Sequence, residues 1–80
     1  MKSPKTPKEL RLLRKIAKNI QRLASENEVS LERLAFESEV SKSYMYDIVK
    51  GNKNITLILL YRICESLDVS LTKLLKMSGV

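Results

Sequence analysis

Apolar residues recur at helical spacing from the first turns of the chain. Leu10, Leu13, Ala17, Ile20 and Ala24 follow one another at three- and four-residue steps, with Ile16 and Leu23 beside them. This is the stripe of an amphipathic helix, and its opposite face carries Arg11, Arg14, Lys15, Lys18 and Arg22. Thr6-Pro7-Lys8-Glu9 supplies an N-cap, a Pro at the first helical position and a Glu at the third, so a helix is predicted over about residues 7–26. Four further starts are marked by Ser30, Ser41, Thr56 and Ser70, each ahead of a short apolar-periodic run. Gly51 and Gly79 are placed to end the third and last helices in the left-handed conformation. No segment alternates with a period of two, and no internal repeat is evident. The pattern predicts an all-α fold of five short helices joined by tight turns, with residues 6–80 as one domain behind a frayed basic tail at 1–5.

The segment from Ser30 to Gly51 is the most informative. Two helices of about eight residues are separated by a turn near Glu39-Val40, too short for an antiparallel return, so they should cross steeply as a helix-turn-helix. Leu34, Ala35, Val40, Met45 and Ile48 are expected to face inward, and Lys42, Ser43, Tyr46, Asp47 and Lys50 outward. Farther on, Leu57, Leu60, Ile63, Cys64 and Leu67 suffice for a core stripe in the fourth helix, which leaves Ile58, Leu59 and Tyr61 as an apolar excess. Such an excess marks an interface, with the C-terminal Met77 and Val80 as its further candidates.

Charge sharpens this picture. The chain of 80 residues has a net charge of +6, distributed in blocks. Residues 1–24 carry eight basic side chains against Glu9; residues 25–41 carry five glutamates against Arg33; residues 42–56 are basic again. One basic and one acidic face result, and the basic one suits a polyanion. Catalysis is not expected: without His, and with Cys64 as the only thiol, the usual nucleophile–base pairs cannot be assembled. Glu28 and Glu32 read as solubility and helix-dipole residues, and neither a metal-ligand cluster nor a phosphate-binding Gly-rich loop calls for a cofactor. The unpaired cysteine, the absence of a signal-like apolar core and a longest apolar run of only Leu57 to Tyr61 point to the cytoplasm and away from a membrane.

Val29-Ser30-Leu31-Glu32-Arg33-Leu34-Ala35, followed by Val40-Ser41-Lys42-Ser43-Tyr44-Met45-Tyr46-Asp47-Ile48-Val49-Lys50-Gly51-Asn52-Lys53-Asn54, resembles the Cro/repressor-type (XRE) helix-turn-helix family. Ile63 to Leu71 resembles that family's junction between the fourth and fifth helices, and Ser41 to Met45 with the Gly51 loop is similar to restriction–modification controller proteins. The resemblance implies a lambda-repressor-like fold and a transcriptional regulator that binds a pseudo-palindromic operator as a homodimer. Its implied partners are double-stranded DNA and, at a promoter, RNA polymerase. Lys42, Ser43, Tyr46 and Asp47 match positions that read base edges, where Lys can donate to guanine and Asp can accept from cytosine. Ser30, Tyr44, Lys50, Asn52, Lys53 and Asn54 match positions along the phosphate backbone. Ile58, Leu59, Tyr61, Met77 and Val80 are the implied dimer contacts. Three departures from the family stand out: Leu31 replaces a frequent Gln, Glu39 a frequent Gly in the turn, and Ala24 with Val49 a frequent Arg–Glu pair. The rival function is a protein-interaction module, such as an antitoxin-like helical protein that binds its partner through the fourth and fifth helices.

Overall fold

A computed structural model describes residues 5–80, and among them the chain forms five α-helices and no strand. They are α1 (Pro7–Glu26), α2 (Leu31–Glu37), α3 (Lys42–Val49), α4 (Leu57–Ser66) and α5 (Leu71–Met77). The basic tail expected at 1–5 lies, apart from Lys5, outside the described residues.

Every helix begins at the hydroxyl residue that its sequence marks. The side-chain oxygens of Thr6, Ser30, Ser41, Thr56 and Ser70 accept the backbone N–H of Glu9, Arg33, Tyr44, Leu59 and Lys73 at 3.0–3.1 Å. Glu9 returns the bond by accepting from the Thr6 N–H at 2.8 Å, which completes the capping box. Each cap contributes about 1 kcal/mol, a large share for helices of two turns.

The helix ends are uniform too. After each helix one residue turns left-handed: Glu28, Glu39, Gly51, Asp68 and Gly79, with φ from 54° to 81°. The next residue then donates its N–H back five positions, from Val29 to Ala24, Val40 to Ala35, Asn52 to Asp47, Val69 to Cys64 and Val80 to Leu75. This is the Schellman closure, which satisfies carbonyls the helix leaves open. Three of the five left-handed residues are acidic rather than glycine, at a cost of about 1 kcal/mol each. An internal repeat does exist after all. Glu28-Val29-Ser30, Glu39-Val40-Ser41 and Asp68-Val69-Ser70 each place an acid in the left-handed position, a valine against the core and a serine on the next helix. The repeat is three residues long and irregularly spaced, so a search for periodic units passes over it.

Ile20, Leu34, Met45, Ile48, Ile63, Leu67 and Leu74 are fully enclosed and draw all five helices onto one core. Ala24 and Val49, the pair that departs from the family resemblance, are both buried in that cluster. The Gln21 amide also donates to the Val49 carbonyl at 2.6 Å, so α1 holds the end of α3 without a buried charge.

The phase of α4 differs from the expectation. Leu57 is 66% exposed and does not serve the core, whereas Leu59 is only 6% exposed and does. Leu59 is therefore no candidate for an outer interface. Five consecutive apolar residues from Leu57 to Tyr61 carry no periodicity, so packing by Leu60, Ile63, Cys64 and Leu67 decides the rotation. Met77 is half-buried against the core, while Ile58, Tyr61 and Val80 are exposed.

Candidate nucleic-acid interface

The corner between α2 and α3 consists of only Ser38 to Ser41, and it presents the first turn of α3 to solvent. The inward set is as predicted: Leu34, Ala35, Met45 and Ile48 are buried, and Val40 packs against them. Lys42 and Ser43 are exposed beside the Ser41 cap. Tyr46 and Asp47 stand one turn farther along and are half-buried, deeper than an outward face implies. Their short helix packs on both α1 and α2, which leaves a narrow solvent face.

The residues matched to the phosphate backbone fall into two groups. Lys50, Asn52, Lys53 and Asn54 are exposed around the left-handed Gly51. The Lys53 ammonium lies 5.7 Å from the centroid of the half-buried Tyr44 ring, a cation–π distance that ties loop to helix. Ser30 is at the start of α2, apart from that loop; its oxygen is engaged by Arg33, which leaves the hydroxyl hydrogen to donate.

Two residues lie at this surface that the sequence pattern did not assign to it. The first is Arg14. A Cβ added at Gly51 would lie 2.8 Å from its Cγ and 3.2 Å from its Cα, so the exposed cationic face of α1 runs directly beside the loop. The second is Glu32. Its carboxylate binds the Lys42 ammonium at 3.1 Å and accepts from the Tyr46 hydroxyl at 3.4 Å. Its own backbone N–H, then Lys42, hold the Glu32 carboxyl below the usual range, and the same contact raises Lys42. Both groups are therefore charged at neutral pH. Glu32, on the neighbouring helix, thus restrains Lys42. The available signal was geometric, since a steep corner brings the first turns of both helices together.

Away from this face, Cys64 is buried, and burial, with a smaller contribution from Glu65, pushes its thiol above the ordinary range. Among the described residues no cluster of three metal-ligating side chains occurs, and no helix is long and apolar enough to cross a membrane.

Two short helices around a tight corner, with a cationic first turn and a cationic loop on one side, define a helix-turn-helix DNA-binding domain. The model of the Cro/C1-type HTH DNA-binding domain family matches residues 19–78, and the chain belongs to that family. Solved structures agree. The chain is similar to the clp gene regulator ClgR from Corynebacterium glutamicum, at a TM-score of 0.82 and 25% identity, over 85% of this chain and 72% of that one. It is similar to the restriction-modification controller protein C.AhdI from Aeromonas hydrophila, at 0.74 and 27%, over 78% and 94% of the two chains. For the restriction-modification controller protein C.Esp1396I the values are 0.77 and 28%, over 85% and 87%. A comparison with curated proteins gives no match. The chain is a helix-turn-helix DNA-binding protein of the transcription-regulator type.

Proposed function

We propose that the chain acts in the cytoplasm as a homodimer on a pseudo-palindromic operator, with α3 in the major groove. The observation that carries this reading is the exposed first turn of α3, where Lys42 and Ser43 stand clear of the core beside a cationic loop. In this reading Lys42, Ser43, Tyr46 and Asp47 meet base edges, while Ser30, Tyr44, Lys50, Asn52, Lys53 and Asn54 meet phosphates. Ile58 and Tyr61, with Leu57 and Val80, supply exposed apolar surface for a two-fold partner, which would set the recognition helices about 34 Å apart. The likeness to controller proteins supports a target upstream of restriction–modification genes. This function calls for no catalysis, and the chain, without His and with its one thiol buried, offers no usual nucleophile–base pair.

The test is a footprint on DNA upstream of the chain's own gene, followed by titration of that site and a scrambled duplex at one salt concentration. Lys42→Ala should weaken the cognate complex roughly tenfold or more and the scrambled one much less. Equal loss on both duplexes makes Lys42 a phosphate contact, and no loss on either removes α3 from the groove.

One observation favours an additional protein contact. Phe36 is 83% exposed on α2. In our reading this knob meets RNA polymerase at the promoter. Phe36→Ala should then abolish promoter stimulation while operator affinity is unchanged.

A further inference from the structure

We propose that Glu32 is a positioning residue for DNA reading: it holds Lys42 and Tyr46 in one bonded cluster and turns both toward base edges rather than phosphates. The inference rests on α3 being the recognition helix.

The cluster is closed on all three sides. One carboxylate oxygen, Oε2 of Glu32, takes the Lys42 ammonium at 3.1 Å and the Tyr46 hydroxyl at 3.4 Å. The same ammonium lies 5.9 Å from the centroid of the Tyr46 ring. Lys42 and Tyr46 are one helical turn apart on α3, and Glu32 reaches them from α2 across a corner held by two caps and a Schellman closure. An isolated surface ion pair is transient because both long side chains must be ordered for it. Here each side chain is restrained by the other two, and the backbone between them is fixed.

Two chemical consequences follow. A free lysine is a mobile point charge that any phosphate attracts. With Glu32 beside it, Lys42 is locally neutralised, and an approaching phosphate meets a carboxylate of its own sign. The guanine O6 and N7 atoms are neutral acceptors and meet much less repulsion, so the pair favours a base over the backbone. Tyr46 gives its only hydroxyl hydrogen to Glu32 and keeps its oxygen lone pairs. It then presents an acceptor, which suits the amino group of cytosine or adenine. The cluster therefore selects a donor at Lys42 and an acceptor at Tyr46, one turn apart.

The experiment is a double-mutant cycle with Glu32→Gln, Lys42→Met and the double variant. Each is titrated against the footprinted duplex and a scrambled one at fixed salt, with helical content and thermal midpoint measured alongside. In the wild-type background Glu32→Gln should strengthen scrambled binding, raise the salt slope by about one unit, and lower the cognate-to-scrambled ratio about two- to fivefold. In the Lys42→Met background the ratio should fall by less, because only the Tyr46 hydroxyl is then left to lose its partner. An equal fall of the ratio in both backgrounds, or no fall in either, overturns the positioning role while recognition by α3 stands. If Lys42→Met itself leaves the ratio intact, the reading of Lys42 fails, and the inference fails with it.

Discussion

The α2–α3 pair and the α4–α5 pair are built on the same corner. Ser38-Glu39-Val40-Ser41 and Leu67-Asp68-Val69-Ser70 each run from a C-cap through a left-handed acid and a core-facing valine to an N-cap serine. Their outer faces differ. The first pair carries the Glu32–Lys42–Tyr46 cluster and a single exposed Phe36, whereas the second carries exposed Leu57, Ile58, Tyr61 and Val80. A corner is thus a local device, satisfied by short-range hydrogen bonds and indifferent to what the helices do. Function lies in the faces, and one sequence device serves both a charged edge and an apolar one.

The largest expected effect breaks the symmetry at the faces. Replacing Ile58 or Tyr61 with Glu should weaken dimerisation roughly a hundredfold, because a buried unpaired charge has no compensation at an apolar interface. Sedimentation should show folded monomers. Lys42→Ala, on the other pair, should leave assembly untouched. Intact dimers for both the Ile58 and Tyr61 variants would place the two-fold contact on another face.

The helices that follow the two corners, α3 and α5, both end at a left-handed glycine, and there the pairs part again. At Gly51 a Cβ would run into the Cγ and backbone Cα of Arg14, whereas at Gly79 it would meet only the Lys15 ammonium at 3.6 Å. Gly51→Ala should cost about 2–3 kcal/mol, from left-handed strain plus the clash, and Gly79→Ala about 1 kcal/mol. Urea unfolding of the two variants measures the difference. Equal losses would mean that α1 gives way at Arg14.

Much of this was legible in the sequence. All five caps, the limits of α1 and the enclosed Leu34, Met45 and Ile48 follow from local rules, hydroxyls at starts and period 3.6, while the left-handed Glu39 follows from the resemblance, which has a frequent Gly there. The phase of α4 was not legible, because an unbroken apolar run fits several rotations and only tertiary packing chooses Leu59 over Leu57. Nor was Glu32, whose role depends on a partner ten residues away, brought near by the corner. The burial of Ser38 has no signature at all, since a serine ahead of a turn reads as a polar cap.

That burial sets up a smaller contrast. At the C-cap of its first helix the α4–α5 pair buries Leu67, but the α2–α3 pair buries Ser38, whose hydroxyl has no partner. Ser78, the buried C-cap of α5, is satisfied: its Oγ donates to the Leu74 carbonyl at 2.9 Å and accepts from the Asn19 amide at 3.1 Å. Ser38→Ala should therefore stabilise by up to about 1 kcal/mol, and Ser78→Ala should destabilise by about 1 kcal/mol. Thermal midpoints moving in opposite directions would check this. A loss at Ser38 would reveal a partner, such as an ordered water, for its hydroxyl.

The smallest effect probes the left-handed acids themselves. Glu39 has φ 62° and Asp68 φ 54°, and both are exposed, so neither side chain is held there by packing. Glycine removes the strain between Cβ and backbone, about 1 kcal/mol, but gives part of it back through the greater freedom of the unfolded chain. The net gain for Glu39→Gly should be about 0.5 kcal/mol. For Asp68→Gly it should be smaller, because a short polar side chain tolerates the left-handed region better. Charge does not bias the comparison: each acid follows the negative end of one helix and precedes the positive end of the next, so the two dipole effects offset at both corners. Urea unfolding with matched m-values ranks the two variants. A larger gain at Asp68 would show that the corners are strained unequally by their helices, and their likeness would then be one of hydrogen bonds alone.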